Sequence, residues 1–335
     1  MTAYIPPYRI TPAILNRVAD ISERLGRWSA SHNNSLSPHL RRDNRIKTIQ
    51  ASLAIENNTL SLEQVTAVLD GKRVLGLPHE IQEVRNAFIA YEKLNDWQAH
   101  NINHLLAAHH VLMAGLLDDA GQFRSGGVGI YRGKELVHMA PPANRVPVLM
   151  QQLLDWLKTT DLHPLIASCI FHYEFEFIHP FADGNGRMGR LWQTLILSRW
   201  NPILAYLPVE TVIRHQQQHY YAALQQADNA AEATPFIGFM LDALHTAMVE
   251  VANTDQVSVQ VNDQVKRLLV VLEGKDAQKA AELMASLELH HKPTFRNNYL
   301  HPALAAELIE MTQADSPRSP SQKYRLTAKG NAFLK

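Results

Sequence analysis

One cysteine in 335 residues is too few for an internal disulfide, so no covalent cross-link within the chain holds the fold together. Cys169 lies in the apolar run 165–171 and reads as a buried thiol in a reducing compartment. An excess of one charge is missing too: 32 Lys and Arg balance 32 Asp and Glu. That balance excludes the basic coat of a protein that blankets nucleic acid or a membrane surface. Charged residues make up 19% and apolar residues 46%, which excludes the composition of a disordered chain. No run of 18 uncharged apolar residues occurs, and the opening MTAYIPPYRI lacks an apolar leader core. Export and membrane spanning are therefore not expected, and the expected location is the cytoplasm. Internal repeats and low-complexity tracts are absent as well, and the length suits two folded units with a short N-terminal arm.

What is present is helical periodicity, with strand-like alternation confined to short places, so the fold class is all-α. Asp43 caps an expected helix over about 44–57 whose Ile46, Ile49 and Leu53 recur at three- and four-residue spacing, and Asn57-Asn58 ends it. Ser61 and Gln64 form a capping-box pattern for a helix that stops at Gly71. Further helices are expected at 80–97, 104–117, 147–158, 164–178, 187–200, 216–228 and 235–253. Between Gly121 and Pro142 the pattern turns glycine-rich with short β-like pieces, which reads as a small hairpin flap. After Val257 come a helix to Leu272, another at 277–287, another at 299–311, and a strand from Lys323. Helices followed by a hairpin suggest a C-terminal winged-helix-like unit. The expected division is 1–96 for an N-terminal helical region, 97–254 for the core and 255–335 for the last unit. From His290 onward seven Lys and Arg face three Asp and Glu, a mild bias that could meet DNA phosphates or be an ordinary solvated face.

The informative stretch is I-H-P-F-A-D-G-N-G-R-M-G-R, residues 178–190. Pro180 disfavours αR geometry at His179, so a helix should end there and leave an imidazole that titrates near neutral pH at its exit. Gly184 and Gly186 let successive N–H groups converge, and a helix starting at about Arg187 adds its positive end: a cradle for phosphate oxygens. Arg187 and Arg190, three apart, share one helical face. Asp183, between base and cradle, is placed to hold a hard cation. Singly, each of these is more often structural: Gly-Asn-Gly as a turn, His-Pro as a helix end, two arginines as a solvated face. The stretch is neither a Walker A loop nor a dinucleotide fingerprint. His172, Glu176 and His179 share helical spacing without the H-E-x-x-H order of a zinc site, and His109-His110 and His290-His291 have no evident partners.

Residues 179–190 match the Fic signature H-P-F-x-D-G-N-G-R-x-x-R at every specified position, and the chain resembles the Fic family. The resemblance implies transfer of a phosphate-linked group, most often AMP from ATP, onto Ser, Thr or Tyr hydroxyls of proteins. It makes His179 the general base and Asp183 the Mg²⁺ ligand. Gly184, Asn185 and Gly186 become the anion hole, and Arg187 and Arg190 hold the outer phosphates, with Met188 and Gly189 in the same ATP-binding segment. Upstream, Ser52-Leu-Ala-Ile-Glu56-Asn57 resembles the family's inhibitory pattern [ST]-x-x-x-E-[GN], which implies that Glu56 pairs with Arg190 and blocks productive ATP binding. Read by spacing alone, Glu56 merely ends an amphipathic helix.

Leu136, Val137, His138 and Met139 resemble the flap that borders the nucleotide and receives a protein target by strand addition. Tyr220, Tyr221 and Asp228 resemble the adenosine-pocket helix, with Asp228 standing where the family often has asparagine. Relatives with this N-terminal helix often dimerise, so a second copy is an expected partner beside ATP and a protein target, and Tyr131 is a candidate for self-modification. Two alternatives stay open: AMP removal, with Glu56 positioning water, or transfer of another phosphate-linked group; and a DNA-binding regulator in which the winged helix dominates.

Overall fold

Proline at a first helical turn, where its missing N–H costs nothing, opens several of the helices in this computed structural model. It describes residues 4–31, 38–132, 135–305, 308–313, 319 and 322–334, and of these only the backbone at 30–31, 38–39, 130–132, 135–138, 253–263, 305, 329 and 332–333. The chain divides into two units, 1–250 and 251–335.

The first unit contains α1 (Pro12–Ser31), α2 (Pro38–Ile55), α3 (Leu62–Leu69), α4 (Pro78–Glu92) and α5 (Ile102–Met113). A hairpin of β1 (Gly129–Arg132) and β2 (Glu135–Met139) precedes α6 (Val146–Thr159), α7 (Pro164–Ile178), α8 (Asn185–Trp200), α9 (Val209–His215), α10 (Gln217–Ala230) and the start of α11 (Thr234–Leu272). Ser61 and Gln64 make the expected reciprocal capping box of α3, and Asn101 caps α5. α7 is buried at every residue from 165 to 176, which makes it the central helix, and α8 packs along it. Cys169 is fully buried there, and burial pushes its thiol up to about 12. The hairpin is antiparallel, with a register shift between Ile130 and Tyr131.

The sequence reading overlooked α1 and α9. α1 buries Ile14, Ile21, Leu25 and Trp28, a helical spacing that was there to be read. α9 is only seven residues long. The expected break near 254 is not a loop: α11 runs through it, and the division between units falls at 250/251. Residues 234–252 are long and apolar enough to cross a membrane, yet half of that window is buried and Asp242 pairs with Arg17 at 2.7 Å, as in a core helix.

The second unit continues from α11 with β3 (Gln278–Lys279), α12 (Ala280–Ser286), α13 (Lys292–Phe295), α14 (His301–Ala305), β4 (Ile309–Met311), β5 (Lys323–Leu326) and α15 (Ala328–Phe333). Its sheet has the order β3-β5-β4. Leu268, Leu272, Leu283, Phe295, Tyr299 and Ile309 form its core. The helix expected over 299–311 stops at Ala305, because Ile309 and Met311 pair with Leu326 and Tyr324 across β5. Short apolar runs do not separate helix from strand by period alone.

Candidate active site

Pro180 ends α7, and His179 takes up a left-handed backbone, φ 49° and ψ 63°. Such a conformation costs a non-glycine residue about 1 kcal/mol or more, so the surroundings must hold it. Arg124 does so. Its Nε donates to the His179 carbonyl at 2.7 Å, and its guanidinium reaches the carbonyls of Gly126, Pro141 and Ile178. The Arg124 backbone N–H adds a bond to the Pro180 carbonyl at 3.0 Å. The buried side chain thus ties His179 to the segments flanking the hairpin.

The next residues are fixed from inside. Asn185 accepts from the Phe181 N–H and donates to the Phe181 carbonyl, both at 2.9 Å, and is 2% exposed. Its side chain thus staples the loop through one of its two amide N–H groups and its oxygen. The Phe181 ring stacks on His109, centroids 3.7 Å apart and planes within 2°. His109 Nδ1 accepts from the Gly121 N–H at 2.8 Å, so its Nε2–H donates to the Asp183 carbonyl at 3.0 Å. Burial lowers its pKa to about 4. Sequence gave no partner for His109, because both partners are backbone groups.

That shift carries a pH prediction. Between about 4 and the unfolded value of 6.5, the unfolded chain holds the His109 proton and the folded chain does not, so stability falls as pH drops through this window. A shift of that size corresponds to roughly 3 kcal/mol. Thermal melts at pH 7 and pH 4.5 should show a larger loss in wild type than in His109→Gln; equal losses would refute the assignment.

α8 starts at Asn185, two residues earlier than expected, with Gly184 before it at φ 83°. The N–H groups of Asn185, Gly186 and Arg187 thus form the first turn, where no intrahelical acceptor exists. A carboxylate already faces them. A Cβ on Gly186 would lie 2.3 Å from Glu56 Oε1, so this glycine is what allows the close approach. Arg190, 1% exposed, donates from Nη2 to Glu56 Oε1 at 2.8 Å and to the Ser52 carbonyl at 3.0 Å, and from Nε to Ser52 Oγ at 3.0 Å. Ser52 and Glu56 reach one guanidinium because they are one helical turn apart on α2. Burial alone would lower the Arg190 pKa; the charge and hydrogen bond of Glu56 outweigh it and raise it. Asn57 is left-handed at φ 69°, a position where asparagine is tolerated after a helix. Glu80 on α4 then accepts from the Thr59 N–H at 2.6 Å and hydroxyl at 2.8 Å, anchoring the turn.

Arg187 does not share an anion with Arg190 in this state. It pairs with Glu83 of α4 at 2.9 Å and with Asp183 at 3.2 Å, and its Nε is buried without a hydrogen bond. Glu83 was not singled out from sequence; nothing local marks it. The Asp183 carboxylate is 62% exposed and accepts from the Gly184 N–H at 2.6 Å. Met188 is fully buried, and Gly189 packs against Glu176 and His172, so these two serve the α7–α8 contact.

Two of the three expected adenosine-pocket residues, Tyr220 and Asp228, are engaged by side chains of α7. The Tyr220 hydroxyl lies 3.1 Å from His172 Nε2, whose Nδ1 faces Gln193 Oε1 at 2.7 Å. Asp228 accepts from the Tyr173 hydroxyl at 3.0 Å, and Tyr221 remains 37% exposed. His172 and His179 lie 3.7 and 4.0 Å from Glu176, but among the described residues no three such side chains are grouped as a metal site. β2 carries Leu136, Val137 and His138, whose side chains lie outside the described residues, and Met139 is 63% exposed. Tyr131 likewise lies outside the described side chains.

A loop-borne histidine beside an anion-ready helix start, opposed by an acid from another helix, is the arrangement of a phosphate-handling site. Residues 99–197 match the Fic/DOC family, and residues 263–327 match the Fic-like C-terminal domain, described as "Filamentation induced by cAMP protein Fic-like". A Fic family protein from Desulfovibrio desulfuricans G20 is 65% identical; its crystal structure covers 98% of this chain and 99% of that one, with a TM-score of 0.75. The chain belongs to the Fic family. Curated relatives called protein adenylyltransferase Fic include that of Drosophila willistoni, 31% identical over 242 residues, or 68% of this chain and 45% of that protein. The chain spans less than half the length of these relatives. Fic-1 of C. elegans, 23% identical with a TM-score of 0.59, shares the fold.

Arg124→Ala should remove four side-chain bonds to carbonyls, including that of His179, at a cost of about 3 kcal/mol or more for a buried charged donor set. Urea denaturation measures it; a midpoint unchanged from wild type would show that the clamp is not holding the loop.

Proposed function

We propose that the chain transfers AMP from ATP to Ser, Thr or Tyr hydroxyls of proteins, and that Glu56 holds this activity down. The observation that carries the reading is the Glu56 carboxylate lying over Gly186 and bonded to Arg190 at 2.8 Å. An acid there occupies a site suited to a phosphate oxygen, at the positive end of α8. A triphosphate that needs Arg190 must displace it.

With Glu56 withdrawn, the first-turn N–H groups and Arg190 are available to phosphate oxygens. His179 takes the proton of the target hydroxyl, whose oxygen forms a bond to the α-phosphorus. The bond from that phosphorus to the bridging oxygen breaks, and pyrophosphate leaves with its charge stabilised by the same donors. Asp183, an exposed oxygen donor at the loop, suits Mg²⁺, which usually takes one or two carboxylates together with phosphates and water. When bound, it supplies charge neutralisation for the phosphates. Each strand of the two-stranded flap has one edge without a strand partner among the described residues, as strand addition by a target segment requires.

The deciding experiment follows incorporation of α-phosphate-labelled ATP with Mg²⁺ into the protein and into lysate. Wild type, Glu56→Gly and Glu56→Gly/His179→Ala should label weakly, strongly and not at all. Absence of label in all three would reject AMP transfer, and release of AMP from modified protein by wild type would favour removal instead.

A further inference from the structure

Away from the motif, a cavity of about 360 Å³ lies where α2 meets α3, α4 and the segment before α9, lined by Arg41, Arg42, Arg45, Phe88, Glu92 and Tyr206 among others. That volume is within the range of small-molecule pockets. Its lining carries three arginines against one carboxylate, Glu92. Arg45 is 5% exposed, and the buried Glu210, which accepts from the Tyr91 hydroxyl at 3.1 Å, is near enough to act on its charge without a described ion pair between them. Its guanidinium lies 4.9 Å from the ring centres of both Tyr91 and Tyr206, and Nη1 donates to the Ala205 carbonyl at 3.0 Å. Its Nε is buried with no acceptor, and so is that of Arg41, whose guanidinium lies 5.7 Å from the Tyr206 ring. Arg42 is already paired with Asp70.

A buried N–H without an acceptor costs about 1–3 kcal/mol. Two such Nε groups line this cavity, and an anion there would satisfy both. Arginine forks suit phosphate, and Ile46, Leu69 and Phe88 give the cavity an apolar wall. We infer that this cavity binds a small phosphate monoester with an apolar organic body, held by Arg41 and Arg45, with Glu92 the opposing charge in its lining. The site stands on the helix that carries Ser52 and Glu56, but it does not depend on the activity proposed above.

Isothermal titration of the full chain with inorganic phosphate and with phenyl phosphate tests it, without nucleotide. Both should saturate, phenyl phosphate more tightly. Arg41→Gln should weaken binding about tenfold, from the loss of one charge-assisted contact. Glu92→Gln, an exposed change that leaves the fold intact, should tighten it several-fold, and Arg187→Gln at the motif should leave it unchanged. Saturable binding that Arg187→Gln abolishes and Arg41→Gln spares would place the anion at the motif and overturn the proposal. No saturation with either probe would overturn it as well, and phenyl phosphate no tighter than phosphate would overturn the ligand class. The Glu92 variant keeps the result readable if Arg41→Gln fails to fold.

Discussion

Glu56→Gly should raise self-labelling from α-labelled ATP about tenfold or more over wild type. The restraint to be lifted is one charge-assisted hydrogen bond, 2.8 Å long, to a guanidinium that is 1% exposed. Such bonds contribute about 1.5–3 kcal/mol, which corresponds to roughly a 10- to 150-fold change in the population with Arg190 free. The lower end applies, because the Glu56 side chain is 34% exposed and water competes for it. Arg190 should stay in place in the variant, since Ser52 still accepts from it twice at 3.0 Å. The gain should therefore appear in turnover without a collapse of the fold, and a melting curve alongside the labelling assay separates the two. Equal labelling of wild type and variant would mean that Glu56 does not control the site.

The parts of this site that were legible in the sequence are those encoded at short range. The helix end at His179 follows from Pro180 and the anion-ready turn from Gly184 and Gly186, while the pairing of Glu56 with Arg190 was implied by the resemblance of residues 52–57 to the family's inhibitory pattern. What was not legible lies in contacts across the chain. Arg124 holds a carbonyl 55 residues away, Arg187 meets Glu83 across 104, and His109 meets the Asp183 carbonyl across 74. A carbonyl partner leaves no trace in sequence at all, since every residue has one. The staple made by Asn185 was hidden for a related reason: an amide in a glycine-rich loop can face a ligand or its own backbone, and only the fold shows its bonds to Phe181. The strand at Ile309 was hidden because its pairing with β5 overrides a local apolar run that reads equally well as helix.

His179→Ala in the Glu56→Gly background should reduce labelling by about 10²–10⁴-fold, the usual contribution of a positioned general base. Alanine alone is an imperfect test, because residue 179 is held at φ 49° and a non-glycine side chain there is strained. His179→Asn avoids the problem: asparagine tolerates the left-handed region, keeps the helix end, and cannot take a proton near neutral pH. If His179 acts as the base, both variants should lose turnover equally while ATP binding, measured by calorimetry, persists. The phosphate-binding groups proposed above, the first-turn N–H groups and Arg190, lie on α8 and are untouched by either change. If instead the histidine serves only to end α7, asparagine should retain most of the activity that alanine loses. The pair of substitutions thus separates the imidazole's chemistry from the backbone geometry that places it.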